Sequence, residues 1–344
     1  MTVRDAVLIS FSGLLELVNR AACAGHRHGL LRVEHASVPV ISVGNITMGG
    51  TGKTPLVAAL ARTLLAAGAR PAVLTRGYRR REKQPVLIWR QPSVAWEQAG
   101  DEPTLLARSL PEVPIVVDPD RVRGAATAVR ETGATHLLLD DGFQHWRLYR
   151  DLDIVTVEAS DPLGARVPRR EAPDALGRAH AIVLSRAADR TEVFAAMGVV
   201  GPYAPEARVI ATTLAARAVH VGGERRPPET LKDRDVIALA GIASPAGFVN
   251  SLGDLGARPV ELRFFSDHHR YTRREVSGIV QAAEATGALV VTTAKDFVKI
   301  PADLTEHIAW LEVEAVPLWG SFAELLAPVL GEGGLHPSAP APPP

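Results

Sequence analysis

The chain has 344 residues, 47% of them hydrophobic and 22% charged, so it can bury a sizeable core and more than one domain is expected. Lysine plus arginine and aspartate plus glutamate balance at 38 each, which excludes a global basic surface for nucleic acid. The one cysteine, Cys23, excludes an internal disulfide and fits a reducing compartment.

The first element is an apolar stretch, Val7–Val18, followed by a basic-leaning stretch from Arg20 to Arg32. It is too short to span a bilayer, which takes about 20 apolar residues. It could be a helix packed on the protein's own core, or an amphipathic helix lying in a membrane interface. The residues alone leave these two interpretations equally open.

The segment Val40–Pro55 is the strongest signal in the chain. An apolar run predicts a buried strand, and a glycine-rich turn then leads into a helix that opens on Lys53 and Thr54. Backbone N–H groups of such a turn converge on an anion, Lys53 would reach the terminal phosphates of a nucleotide, and Thr54 would bind Mg²⁺. The usual pattern has glycine where this chain has Thr47. We expect a nucleoside triphosphate to contact Thr47, Met48, Gly49, Gly50, Thr51, Gly52, Lys53 and Thr54.

Short apolar runs then alternate with helical stretches, which indicates parallel strands joined by crossover helices. We therefore predict an α/β protein with the doubly wound parallel sheet of P-loop NTPases and a second, smaller α/β domain. Residues 1–215 form the predicted nucleotide domain, 216–332 the smaller domain that closes the cleft, and 333–344 a disordered proline-rich tail. Between the domains, Val209–Thr213 and Ala218–Val221 are predicted to form a short two-stranded connector.

The predicted strands are read from these apolar runs in chain order. They are Val38–Val43, Ala72–Thr75, Ile115–Val117, His136–Leu139, Ile154–Val157, Ala181–Leu184, Val236–Ala240, Val260–Phe264, Leu289–Thr293 and Ala309–Glu312.

Three groups of polar residues follow strands or open helices of the first domain. Asp101 and Glu102 form either an acidic helix start favoured by the dipole, or a base that takes a proton from an attacking hydroxyl. Arg121 could stabilise transferring phosphate charge or pair with a carboxylate. Asp140 and Asp141 end a strand beside the phosphate loop, where they are expected to hold Mg²⁺ rather than form a solvated turn.

In the second domain, Asp267 is followed by the tandem histidines His268 and His269. Adjacent side chains on a strand point in opposite directions, which disfavours a shared metal. One histidine that is oriented by a carboxylate and faces the cleft is the more economical catalytic interpretation. The segment Thr292–Asp296 also ends a strand, and a structural turn is at least as good an interpretation as a functional one.

Taken together, these motifs resemble the tetraacyldisaccharide 4′-kinase (lipid A 4′-kinase) family, in the family's order over about residues 38–300. The most specific pairing joins Gly44–Pro55 to Asp140–His145, and Thr47 also fits the family's loop. The other matching segments are Thr75–Tyr78, Gly100–Pro103, Asp118–Arg121, Arg150–Asp153, Asp267–His269 and Thr292–Asp296.

The resemblance implies transfer of the γ-phosphate of ATP to the 4′-hydroxyl of tetraacyldisaccharide 1-phosphate in lipid A biosynthesis. It also implies a peripheral enzyme, on the cytoplasmic face of the bacterial inner membrane, and this favours the interfacial interpretation of Val7–Val18. The family's catalytic residues match Asp101, His268, Lys53 and Arg121, and its Mg²⁺ contacts match Thr54, Asp140 and Asp141. Weaker matches, expected on the substrate side, are Asn45, Tyr78, Glu102, Gln144, His145 and Arg170.

One segment departs from the family pattern. After Gly164 the chain is several residues shorter than usual and lacks a later glycine, so the match at Arg170 could slip by one. Acceptor recognition could differ there.

Two other functions fit a phosphate loop. A P-loop kinase of a soluble acceptor would have no need for the apolar N-terminal segment. A nucleotide-switch ATPase that binds a partner or membrane would carry a signature lysine where this chain has Met48.

Overall fold

The computed structural model describes residues 3–78, 80, 84–90, 95–165 and 167–331. The tail predicted to be disordered, 333–344, lies outside these residues. The helices are α1 (Val3–Arg27), α2 (Lys53–Ala66), α3 (Trp96–Ala99), α4 (Asp101–Ser109), α5 (Arg121–Thr132), α6 (Arg190–Val200), α7 (Pro245–Asp254), α8 (Arg273–Thr286), α9 (Ala294–Phe297) and α10 (Phe322–Leu330).

Most of the strands lie close to the predicted apolar runs, but Val86–Ile88 and Glu224–Arg226 were not predicted, and the last strand ends at Trp319 rather than at Glu312. They are β1 (Val40–Gly44), β2 (Pro71–Thr75), β3 (Val86–Ile88), β4 (Ile115–Val117), β5 (His136–Asp140), β6 (Leu152–Glu158), β7 (Ala181–Ser185), β8 (Arg208–Val221), β9 (Glu224–Arg226), β10 (Asp235–Ala240), β11 (Arg258–Phe264), β12 (Leu289–Thr293) and β13 (Ile308–Trp319). Three 3₁₀ helices cover Pro173–Arg178, Pro228–Leu231 and Ala302–His307.

The strands of the described residues hydrogen-bond into one sheet. Its order is β11-β10-β12-β13-β8-β7-β6-β1-β5-β2-β4-β3, with β9 paired to β8. The pairs around β1 are parallel, as are those that join β10, β11, β12 and β13. The strands around β1 are buried on both faces and form nearly continuous apolar runs such as Val40–Val43, which is why they are readable from the sequence, whereas the edge strand β11 is largely exposed. The predicted α/β class with a parallel P-loop sheet is confirmed.

The connector prediction was wrong in its pairing. Val209–Thr213 and Ala218–Val221 belong to one strand, β8, and pair with β13 in antiparallel register rather than with each other. The polar and alanine-rich middle of β8 has no strand pattern of its own, because its hydrogen-bond partner lies about a hundred residues later. The two long strands carry the sheet from one half of the molecule to the other.

Apolar clusters flank the two halves of this sheet separately. One set packs around β1 and β7, and includes Leu56 and Leu60 of α2. The other packs around β10 and β12, and includes Phe248 and Val276. The helix α10 returns to the first set, where Leu325 and Leu326 join the cluster of α2. The division at residue 215, which falls within β8, remains a prediction.

The N-terminal helix is longer than the predicted Val7–Val18 and runs from Val3 to Arg27. Within the part of the chain that the structure describes, no helix is both long and apolar enough to cross a membrane.

Candidate functional site

The phosphate loop lies where β1 ends and α2 begins. Gly49 (φ 112°) and Gly52 (φ 78°) have left-handed backbone conformations that side chains rarely adopt. Gly52 caps α2, and no side chain accepts a hydrogen bond at this helix end. The first N–H groups of α2 and its positive dipole end therefore remain available to an anion.

The departure at Thr47 has a structural basis. Thr47 is buried, and a Cβ added at Gly164 would lie 2.1 Å from its Cγ2 atom, so the threonine methyl fills that space. The loop is held on both sides: the Met48 N–H donates to the Pro168 carbonyl (2.7 Å), and the hydroxyls of Thr51 and Thr156 lie 2.7 Å apart. Thr47 therefore packs the phosphate loop against Gly164 and the segment that follows it.

The two strongest motifs of the sequence pack directly against each other. A Cβ on Gly44 would lie 2.4 Å from the Cβ of Phe143, and a Cβ on Gly142 would lie 2.9 Å from the Ser42 hydroxyl oxygen. These glycines let the turn after β5 approach the phosphate loop, which brings Asp140 and Asp141 beside it.

We expect Gly44→Ala to lower the free energy of unfolding by about 1–3 kcal/mol, because overpacking against backbone atoms of Phe143 must push the two turns apart. The matched control is Gly198→Ala in α6, where nothing lies within 4 Å of the added Cβ. Removing a helix glycine there should raise the free energy of unfolding by about 0.5–1 kcal/mol. Urea denaturation measures both, and a Gly44→Ala protein as stable as wild type would contradict the close approach.

Lys53 and Arg170 both bind Asp141. The Lys53 ammonium nitrogen lies 3.4 Å from Asp141 Oδ1, and Arg170 Nη1 donates to both carboxylate oxygens at 2.7 Å. Burial raises the pKa of Asp141, but the two cations outweigh it and lower that pKa to about 2. Asp141 adopts a left-handed conformation (φ 58°), which turns it toward them. Arg170, the least certain match of the sequence, is therefore beside the phosphate loop.

Asp140 has the opposite electrostatic character. It is buried, and burial together with the charges of Glu102 and Asp141 raises its pKa to about 7. Arg121 is also buried, donates to the Asp118 and Asp140 carbonyls (2.8 and 3.4 Å), and has its pKa lowered to about 10 by burial. Arg121 is thus tied to the end of β5 rather than extended into solvent.

The predicted magnesium ligands fit the cation. Asp140, Asp141 and Thr54 offer the oxygen ligands that Mg²⁺ prefers, and a divalent charge would offset the burial and the neighbouring negative charges that raise the pKa of Asp140. Among the described residues, no group of three or more His, Cys, Asp or Glu side chains could hold a metal ion by itself. Mg²⁺ in proteins commonly combines one or two carboxylates with the phosphate oxygens of a substrate.

A network of hydrogen bonds holds the residues next to the phosphate loop in place. The Gln144 amide donates to the Asn45 carbonyl (3.0 Å) and to Glu171 (2.8 Å), and Glu171 also accepts from Arg178 (2.9 Å). Asn45 itself is buried. These contacts indicate a supporting role for Asn45 and Gln144.

His145 lies in the same turn, and its buried Nε2 has no hydrogen-bond partner among the residues that the structure describes. Burial, with the nearby charges of Arg121 and Arg150, lowers its pKa to about 4. His145 is therefore neutral at physiological pH.

Asp101 and His268 meet across the two halves of the sheet, although 167 residues separate them in the sequence. His268 Nδ1 lies 2.7 Å from Asp101 Oδ2, and Asp101 is buried at the start of α4. Burial raises the pKa of Asp101, but the hydrogen bond from His268 and the charge of Lys295 outweigh it and lower that pKa. The carboxylate is therefore ionised at neutral pH and can accept a proton.

The other predicted residues occupy defined places around this pair. His269 lies 3.3 Å from Glu275 rather than facing Asp101, so the tandem histidines share no ligand. Tyr78 is exposed and lies edge-on to the His268 ring, with centroids 5.6 Å apart.

Lys295 is the residue that sequence reasoning missed. It belongs to the unassigned segment Thr292–Asp296, and its ammonium nitrogen lies 3.5 Å from Glu102 and 3.4 Å from His268 Nε2. The signal was present, since the segment ends a strand and carries a lysine. Only the fold shows which carboxylates it meets.

Three features together define a P-loop kinase: a Walker-type phosphate loop, acidic residues at the end of the neighbouring strand β5, and an ionised carboxylate paired with a histidine. The family model described as tetraacyldisaccharide-1-P 4′-kinase matches residues 4–330. The chain belongs to this family of kinases, which act in lipid A biosynthesis.

Individual proteins similar to this chain point to the same family. The tetraacyldisaccharide 4′-kinase of Anaeromyxobacter sp. (strain Fw109-5) is 42% identical over 318 residues, covering 86% of this chain and 84% of that protein. The one of Geobacter sulfurreducens is 39% identical over 307 residues, covering 87% and 85%. A crystal structure of "apo" form LpxK from Aquifex aeolicus in complex with ATP superposes with a TM-score of 0.74, at 30% identity, covering 95% of this chain and 99% of that one.

Proposed function

We propose that this chain transfers the γ-phosphate of ATP, with Mg²⁺, to the 4′-hydroxyl of a tetraacylated glucosamine disaccharide 1-phosphate. The observation that carries the proposal is the Asp101–His268 pair at 2.7 Å, and the next residue, Glu102, is near enough to Asp140 to raise its pKa. Membership of the family and the ATP complex of the Aquifex aeolicus kinase support the donor and the acceptor.

The charged residues have separate roles in binding the phosphates. Lys53 and the N–H groups of the loop bind the β- and γ-phosphates, and Arg121 holds the end of β5 with its two aspartates. Thr54, Asp140 and Asp141 would hold Mg²⁺ together with the nucleotide, and the cation would supply positive charge against the phosphates.

Asp101 accepts the proton of the attacking hydroxyl, and His268 orients its carboxylate.

The deciding experiment uses purified protein, γ-labelled ATP and three conditions: the acylated disaccharide 1-phosphate in detergent micelles, a soluble glucosamine acceptor, and no acceptor. We expect label in the lipid and little release of phosphate without acceptor, because a kinase excludes water from the γ-phosphate. Label in the soluble acceptor instead would indicate a different kinase. Acceptor-independent hydrolysis would favour a nucleotide-switch ATPase.

We further propose that α1 and the turn after it bind the cytoplasmic face of the bacterial inner membrane peripherally. Among the side chains that the structure describes in this segment, four large apolar ones are exposed: Leu17 by 64%, Val18 by 55%, Leu30 by 80% and Leu31 by 46%. Arg20 and Arg32 belong to the same segment and are exposed, each paired with a carboxylate (Asp174 and Glu34), and their cations could attract anionic headgroups.

Replacing two of these side chains by aspartate tests the membrane proposal. Leu17→Asp/Leu30→Asp should lower binding to anionic phospholipid vesicles at least about tenfold, because apolar burial and attraction to the headgroups are both lost. The control is Phe194→Asp, which changes an apolar residue on α6 that is 54% exposed. Cosedimentation measures binding, and equal losses in the two variants would contradict a specific membrane-binding face.

A further inference from the structure

Lys295 stands at the start of α9 and touches both halves of the molecule. Its ammonium nitrogen lies 3.2 Å from Asp267 Oδ1 and 3.4 Å from His268 Nε2, both in the turn that follows β11. On the other side it lies 3.5 Å from Glu102 Oε1 in α4. One cation therefore bridges the two carboxylates that flank the Asp101–His268 pair.

Lys295 keeps its positive charge at neutral pH. Its side chain is 20% exposed, and burial lowers its pKa, but the charges of Glu102 and Asp267 outweigh burial and raise that pKa. An ammonium held this far from water is costly unless carboxylates pair with it, and here two do.

Lys295 also determines how His268 can hydrogen-bond. An ammonium group only donates, so Nε2 of the neutral imidazole must accept from Lys295. The proton then lies on Nδ1, which donates to Asp101. His268 has a left-handed backbone (φ 60°), and its N–H donates to the Gly241 carbonyl (3.2 Å), so the ring is anchored from behind as well.

We propose that Lys295 is a positioning residue, which fixes the Nδ1–H tautomer of His268 and holds Glu102 and Asp267 together across the two halves of the site. The proposal rests on the proposed role of Asp101 and His268. Without Lys295, Glu102 and Asp267 lose their shared counterion and repel each other. Asp267 Oδ2, already 3.6 Å from His268 Nε2, then competes with Asp101 for the ring proton.

The test compares Lys295→Met and Lys295→Arg with Lys232→Met, an exposed lysine that precedes β10 at the opposite sheet edge. We expect Lys295→Met to lower kcat about 10- to 100-fold while the Kd for ATP stays nearly constant, because it uncouples two contacting groups and leaves the phosphate loop intact. Lys295→Arg should recover most of the loss, because arginine keeps the charge and the donors. A kcat for Lys295→Met within about threefold of wild type overturns the proposal.

A second substitution separates positioning from general destabilisation. Adding Asp267→Asn to Lys295→Met removes one of the two repelling carboxylates and should restore kcat about three- to tenfold over Lys295→Met alone. A merely unstable protein would not recover, and additive losses would overturn the counterion role.

The pH profile of kcat/KM offers an independent readout. The charge of Lys295 lowers the pKa of Asp101, together with His268 and Lys299, against the effect of burial. Lys295→Met should therefore move the acidic limb of the profile to higher pH, since Asp101 must be ionised to accept a proton. Lys232→Met should leave that limb in place.

Nitrogen-15 spectra of the His268 ring decide the tautomer without any assay of activity. We expect a protonated Nδ1 and an unprotonated Nε2 in the wild type, and a mixture of tautomers in Lys295→Met. The opposite tautomer in the wild type overturns the proposal. A wild-type protein that transfers no phosphate, yet shows the expected spectrum, would contradict the proposed function and leave the role of Lys295 standing.

Discussion

Asp101→Asn is expected to lower kcat about 10²- to 10⁴-fold, the range that a positioned general base contributes. Asparagine keeps the size of the side chain and can still bind His268, but it cannot take a proton from the acceptor hydroxyl. The Kd for ATP should change little, because Asp101 faces His268 at the start of α4 rather than the phosphate loop. Single-turnover transfer and equilibrium binding of ATP measure the two effects separately.

The control for this variant is Asp189→Asn, which changes an exposed aspartate that caps α6. Asparagine caps a helix about as well as aspartate, so kcat and stability should both remain at wild-type values. Equal losses of turnover and of ATP affinity in Asp101→Asn would remove the assignment of Asp101 as the base. They would point instead to a disrupted nucleotide site.

Lys53→Met is expected to lower kcat/KM about 10²- to 10³-fold, because it removes the one ammonium group that neutralises phosphate charge within the loop. The loss should include ATP binding, which distinguishes this variant from Asp101→Asn. In the wild type, Lys53 lies 3.4 Å from Asp141 Oδ1; in the variant, Arg170 remains as the cation paired with Asp141 among the described residues. Titration with ATP and initial rates of transfer measure the effect.

Lys53 is partly buried, so its replacement also needs a check on folding. Methionine has a similar length and no charge, and the Lys53→Met protein should unfold in urea close to the wild-type midpoint. Lys232→Met again serves as the matched exposed control. Wild-type affinity for ATP in Lys53→Met would contradict the phosphate contact.

Much of the site could be predicted because its parts are local. The phosphate loop is one continuous segment, and Asp140 and Asp141 directly end a buried strand. In a parallel sheet the carboxyl ends of neighbouring strands meet at one edge, so β1 and β5 bring these groups together. The predicted bounds of the strands around β1 agree closely for the same reason, because these strands are buried on both faces and read as apolar runs.

The parts that could not be predicted depend on distant partners. The strands β8 and β13 are long because each is the hydrogen-bond partner of the other, and the middle of β8 has no apolar run to reveal it. The role of α10, which packs Leu325 and Leu326 on α2, depends on the chain returning to the first half. Local residue patterns carry no information about such returns.

The sequence by itself determined that this protein is a nucleotide-binding α/β protein of the tetraacyldisaccharide 4′-kinase family, because glycines, a lysine and a threonine in one short segment have few other uses. Only the tertiary structure decided which charges meet. It joins Asp101 to His268 across 167 residues, binds Arg170 to Asp141 despite the shortened segment, and brings Lys295 between two carboxylates. The strength of a charge pair depends on the distance between the two groups and on their burial, and neither quantity can be read from the sequence.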